Sequence, residues 1–165
     1  MVIKILSLEG FAQEMSERGI TPDNVESKDL FCISINCTED IRDEDHSQWF
    51  PEDKANVKVM YFDDVTQDLT IPVFGTKGKE FYHAYAFTEG QAKELVDFIT
   101  AHSDKAESII HCRAGISRSG AVGAFINDLY GSKSWYVFKR ENQHISPNAL
   151  IQRLLNTEAR KRGLL

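Results

Sequence analysis

A chain of 165 residues, 42% of them hydrophobic, is long enough to pack one domain around a core. Its net charge of −6 and the lack of an aromatic-interleaved basic stripe argue against nucleic-acid binding, and no apolar run reaches the length of a membrane span. Residues 1–11 lack the charged start and cleavage site of a signal peptide, and three cysteines without paired spacing make no disulfide framework, so a reducing cytoplasm is expected.

Residues 2–6 read as a short first strand. Ser7 is placed to cap a helix over 8–18, closed by Gly19. Residues 30–35 run apolar, as a buried strand does; Cys32 within them reads as a packed strand cysteine, with a resolving-thiol role as the alternative. The acidic segment 38–55 (Glu39, Asp40, Asp43, Glu44, Asp45) reads as a solvated surface excursion, without the glycine and ligand spacing of a calcium loop. The next strand spans 57–62 and leads into Asp63 and Asp64, then a loop over 65–87 with Pro72, Gly75 and Gly78. Thr88 and Gln91 make a capping box for a helix with Ala92, Leu95, Val96 and Ile99 on one face. A strand over 108–111 delivers Cys112, a helix follows over 120–130, and Ser146-Pro147 cap a last helix lined by Leu150, Ile151, Leu154 and Leu155. Strands alternating with helices predict an α/β fold in one domain over 1–165: a mainly parallel central sheet flanked by helices on both faces, in three layers. No repeat or linker divides the chain.

Residues 111–120 read His-Cys-Arg-Ala-Gly-Ile-Ser-Arg-Ser-Gly. Of the cysteines, only Cys112 has an arginine, Arg118, six residues on. At ordinary composition that single coincidence arises in about 15% of chains with this many cysteines; adding His111, Gly115 and Ser119 at fixed offsets lowers it to about 1 in 10,000. Alone, Cys112 would read as a strand-end thiol in the core. With these neighbours it sits where a strand ends, a glycine-bearing turn follows and a helix begins. That layout cradles an oxyanion between inward backbone N–H groups and a helix N-terminus, and the same field stabilises a thiolate. Charge is spread unevenly: residues 111–165 hold nine Lys/Arg against three Asp/Glu, leaving ten against 22 in residues 1–110. An anionic substrate meets the basic third, although the same charges also suit solvated helix surfaces.

His-Cys-x-x-Gly-x-x-Arg-Ser resembles the signature of the cysteine-dependent protein tyrosine phosphatase superfamily, in the form found in its small dual-specificity branch of bacteria and phages. The resemblance is tight over 108–126, looser over 57–126 and architectural elsewhere. It implies hydrolysis of a phosphoric monoester through a cysteinyl-phosphate on Cys112. Arg118 would grip two phosphoryl oxygens, and the backbone amides of Arg113, Ala114, Gly115, Ile116, Ser117 and Arg118 would take the others. Gly115 would turn the loop without a Cβ in the way of the anion, Ser119 would stabilise the departing sulfur, and His111 would fix loop geometry.

Family placement after an upstream strand also implies an aspartate as general acid. Asp64 is favoured, Asp63 is the alternative, and Asp68 lies further out. As a plain structural reading, the Asp63-Asp64 pair only starts a turn. The chain departs from its relatives in the 48 residues from Asp64 to Cys112, an excess expected within 65–87. The resemblance implies no metal or cofactor, and phosphoprotein partners with phosphotyrosine preferred. Lipid-phosphate members often carry an extra lysine where Ile116 stands. Two other classes compete: a phosphopeptide-binding module without turnover, and a rhodanese-like sulfurtransferase.

Overall fold

The computed structural model describes residues 1–42 and 48–165. In chain order its strands are β1 (Val2–Leu6), β2 (Leu30–Asn36), β3 (Val57–Tyr61), β4 (Leu69–Pro72), β5 (Phe81–Ala84) and β6 (Glu107–His111). Its α-helices are α1 (Leu8–Glu17), α2 (Glu89–Ala101), α3 (Arg118–Tyr130), α4 (Trp135–Glu141) and α5 (Ala149–Lys161). Four strands pair in parallel in the order β1-β6-β2-β3, so the last strand in sequence lies between the first two. All seven residues of β2 are buried, as expected of an inner parallel strand covered on both faces.

Alternation along the strands sorts the core into two halves. Phe31, Ile33, Ile35 and Ile110 point toward α2, α3 and α5, meeting Leu95, Ile99, Val122, Phe125, Ile151 and Leu155. Leu30, Cys32, Val57 and Ile109 point the other way, toward Phe11 and Met15 of α1. Each such fully buried side chain contributes about 1.5–3 kcal/mol relative to exposure, which fixes the helices to their faces. The α/β arrangement with helices on both faces of a parallel sheet is therefore as the sequence pattern predicts. No helix among the described residues is long and apolar enough to cross a membrane.

Local signals fare unequally. Ser7 caps α1 by accepting from Gly10 N at 3.1 Å, and Thr88 and Gln91 form the expected capping box on α2. The last helix is capped by Asn148 rather than Ser146: its Oδ1 accepts from Leu150 N at 3.0 Å and Ile151 N at 3.2 Å. Ser146 instead donates its backbone N–H to Ile116 O, so a tertiary bond outside the helix holds it. Helix α3 starts at Arg118, two residues before the expected Gly120, and α4 is absent from the sequence reading. Residues 65–87 are not a simple loop but carry the antiparallel β4–β5 hairpin, separate from the main sheet. The acidic segment 38–55 is only partly a surface excursion. Phe50 is buried against Phe11, and Trp49 Nε1 donates to Ile20 O at 3.0 Å, while Asp43, Glu44 and Asp45 lie outside the described residues.

Candidate active site

Parallel strands bring their C-terminal ends to one edge of the sheet, and helices leaving toward opposite faces open a crevice there. Cys112 follows β6 into that crevice and is 2% exposed. Above it, Arg113, Ala114 and Ile116 are exposed.

The carbonyls of the loop are drawn outward. Arg113 O accepts from Leu8 N (3.2 Å), Ile116 O from Ser146 N (3.0 Å) and Ser117 O from Asn148 N (3.3 Å). With those oxygens tied to α1 and to the entry of α5, the intervening amides turn inward, and those of Gly115 and Ser119 reach the Cys112 sulfur. Gly115 has φ +73°, and a Cβ there would stand 2.5 Å from Ser7 N and 2.6 Å from the Leu6 carbonyl carbon. The missing Cβ thus makes room for the β1–α1 backbone, not for the anion. Gly115→Ala is expected to lose about 2–4 kcal/mol of stability in urea unfolding. A variant as stable as wild type would overturn this packing.

Burial alone would push the Cys112 thiol up. The Ser119 hydroxyl at 3.1 Å, the amides of Ser119 and Gly115 and the Arg118 charge outweigh it, holding the thiol below its ordinary range. Arg118 is 5% exposed; its Nη1 donates to Phe62 O at 2.9 Å, and both Nη atoms lie 3.5 Å from Cys37 Sγ. Its Nε is buried with no partner among the described residues. An unpaired buried N–H is costly, and an anionic oxygen bound in the crevice would relieve it. Ser117 makes no capping bond at the start of α3, because its hydroxyl donates to Asp64 Oδ1 at 2.7 Å. No Ser117 cap thus competes for the leading amides of α3, and that of Ser119 turns to the Cys112 sulfur.

The paired aspartates have different work. Asp63 is buried and accepts from Thr38 N (3.1 Å), Thr38 Oγ1 (2.5 Å) and Tyr85 N (2.8 Å). Burial raises its pKa, but hydrogen bonds from Thr38, Tyr82 and Tyr85 outweigh that and hold it below the usual carboxylate range. It is an anchor between β2, β3 and the hairpin. Asp64 is exposed, and its Oδ1 accepts from both Ser117 Oγ and Asn148 Nδ2 (2.9 Å), so it borders the loop. Asp68 accepts from Ala86 N at 2.9 Å and ties the base of the hairpin.

No protein-family model matches the chain, and no curated protein sequence matches it. Among solved structures it is similar to the crystal structure of human tyrosine phosphatase-like serine/threonine/tyrosine-interacting protein, at 20% identity over 90% of this chain and 87% of that one, with a TM-score of 0.40. At that score the likeness carries no weight for the chemistry of the site.

His111 is 2% exposed, stacks on Phe11 with ring centroids 4.3 Å apart and bonds Ser34 Oγ through Nε2 at 2.7 Å. Burial pulls its pKa down to about 4, so the ring is neutral near pH 7 and supports the strand end rather than carrying charge. Cys32 is the thiol that the fold takes away from the site. It lies in the α1-side core, whereas Cys112 packs in the other, and burial pushes it up to about 12. A resolving role for Cys32 is therefore excluded by the sheet between them.

Two residues at the site escaped the sequence reading. Cys37, just past β2, touches the Arg118 guanidinium; only the alignment of strand ends brings it there. Asn148 both caps α5 and holds Asp64, and its signal was legible as an asparagine opening an apolar-periodic stretch.

Proposed function

We propose that the chain is a metal-independent phosphoric monoester hydrolase of the tyrosine and dual-specificity phosphatase type. The observation that carries this reading is the convergence on one buried sulfur of the Ser119 hydroxyl, two loop amides and the Arg118 charge. The Cys112 thiolate attacks phosphorus, the bond to the leaving oxygen breaks, and Asp64 protonates that oxygen. Asp64 then takes a proton from water, whose oxygen attacks the cysteinyl-phosphate. The S–P bond breaks, thiolate leaves with the Ser119 hydroxyl turned toward it, and inorganic phosphate departs. Because the sulfur is buried below exposed loop residues, a phosphate on a long side chain such as tyrosine suits it best.

The test is phosphate release from a simple aryl phosphate in the presence of a chelator, followed as a function of pH. Asp64→Asn is expected to lower kcat by on the order of a hundredfold or more and to remove the alkaline limb of the profile. Asp63→Asn is expected instead to cost about 1–3 kcal/mol of stability while keeping that limb. The opposite pattern would transfer the acid role to Asp63. Phosphopeptide binding without phosphate release would turn the chain into a binding module, and sulfur transfer from thiosulfate to cyanide would make it a sulfurtransferase.

A further inference from the structure

Residues 65–87 hold more chain than the fold needs to join β3 to α2, and they spend it on a hairpin with unequal edges. β4 and β5 pair with Ile71 opposite Tyr82 and Thr70 opposite His83, and Val73 N donates to Glu80 O at 2.9 Å. In an antiparallel ladder, bonded pairs alternate with pairs whose backbone groups face outward. Val73/Glu80 and Ile71/Tyr82 are bonded pairs, so Pro72 and Thr70 face out along β4 while Phe81 and His83 face out along β5. Pro72 has no N–H and blunts the β4 edge. On the β5 side the next outward residue, Tyr85, is already bonded to Asp63 through both backbone groups, and among the described residues no third strand covers Phe81 and His83.

That open edge borders a cleft of about 290 Å³ lined by Thr38, Glu39, Val73, Phe81, Tyr82, His83 and Tyr85. Phe81 and Tyr85 are 55% and 50% exposed there, and Phe74 at the turn is fully exposed, an apolar surface that the described residues leave uncovered. The cleft is linked to the site through hydrogen bonds. Thr38 and Tyr85 are the residues that bond Asp63, and the next residue, Asp64, bonds the loop at Ser117.

We propose that the β5 edge binds the extended polypeptide flanking the phosphorylated residue of the substrate, as an added strand pairing with the backbone of Phe81 and His83. Backbone pairing supplies affinity, and the aromatic side chains of Phe81 and Tyr85 favour apolar residues at alternate substrate positions. This rests on the phosphatase reading for its substrate but not for its test. It makes the chain a protein phosphatase rather than one for small phosphate esters, because a sugar or nucleotide phosphate has no strand to offer.

The probe is a phosphotyrosine peptide flanked on both sides by alternating valine and threonine, compared with phosphotyrosine itself. His83→Pro removes an outward N–H at a position where the ladder does not use it. It is expected to lower kcat/KM for the peptide tenfold or more, with phosphotyrosine turnover within twofold of wild type and an unchanged melting temperature. N-methylation of alternate backbone amides in the peptide, in one of the two possible registers, is expected to give the same loss with the wild-type protein. Peptide turnover unaffected by either change would overturn the proposal. If no phosphate is released at all, the catalytic reading fails, and fluorescence anisotropy of the labelled peptide decides the edge separately: equal affinity for parent and both N-methylated peptides would overturn it.

Discussion

Replacing Cys112 by serine is expected to reduce phosphate release from an aryl phosphate to the uncatalysed background. The loop stabilises an anion at that position by a set of short contacts: the Ser119 hydroxyl, two amides and the nearby guanidinium. Those contacts hold the thiol below its ordinary range and so favour the thiolate. An alcohol starts several pKa units higher, so the same field leaves it protonated and non-nucleophilic. The anion-binding groups are untouched by the change, and the variant should still bind a phosphopeptide with an affinity close to wild type. The pH profile of the native protein carries the same information. Its acidic limb reports thiolate formation and should lie below the ordinary thiol value; undiminished turnover in Cys112→Ser would remove the nucleophile from this account altogether.

Arg118→Ala is expected to lower kcat/KM by on the order of a hundredfold or more, the scale of losing a preorganised donor to a transition-state oxyanion. Arg118→Lys keeps the charge but not the planar fork, and should recover only a minor part. The reason lies in how the guanidinium is held. Phe62 O takes one Nη1 hydrogen, the Cys37 sulfur lies against both Nη atoms, and Nε is buried with no partner among the described residues. A lysine ammonium has no such divided geometry, so it cannot anchor to Phe62 O and present a second donor in a fixed direction. Comparable rates in Arg118→Lys and wild type would show that charge alone suffices. Inorganic phosphate should inhibit the alanine variant far more weakly, which separates loss of the anion site from loss of fold.

Much of this could be read from the chain before folding. Short-range rules govern Ser7, Thr88 and Gln91, because a capping side chain bonds amides two or three residues away and needs no tertiary partner. The alternation of β2 against the helical spacing of Ala92, Leu95, Val96 and Ile99 likewise announces a layered α/β core. The residues 111–120 announce an anion loop for a related reason: nucleophile, turn, arginine and helix start lie within ten positions. The capping assignment that differs, Ser146 against Asn148, is one where long-range bonds compete, and Ser117 at the start of α3 likewise spends its hydroxyl outside the helix. Ser146 and Asn148 hold loop carbonyls, and the Ser117 hydroxyl goes to Asp64.

What the sequence by itself determined is the anion-stabilising field around Cys112, since the groups that create it are its own chain neighbours. Only the tertiary structure distinguished Asp63, tied down by Thr38 and Tyr85, from Asp64, poised against Ser117 and Asn148, because those partners lie 22 to 84 positions away along the chain. It also decided why Gly115 must be glycine, why Cys37 rather than Cys32 meets the site, and that residues 65–87 raise an unpaired edge beside it. Each of these depends on which strand ends lie next to one another, and strand order in a parallel sheet is set by crossovers that no local pattern encodes.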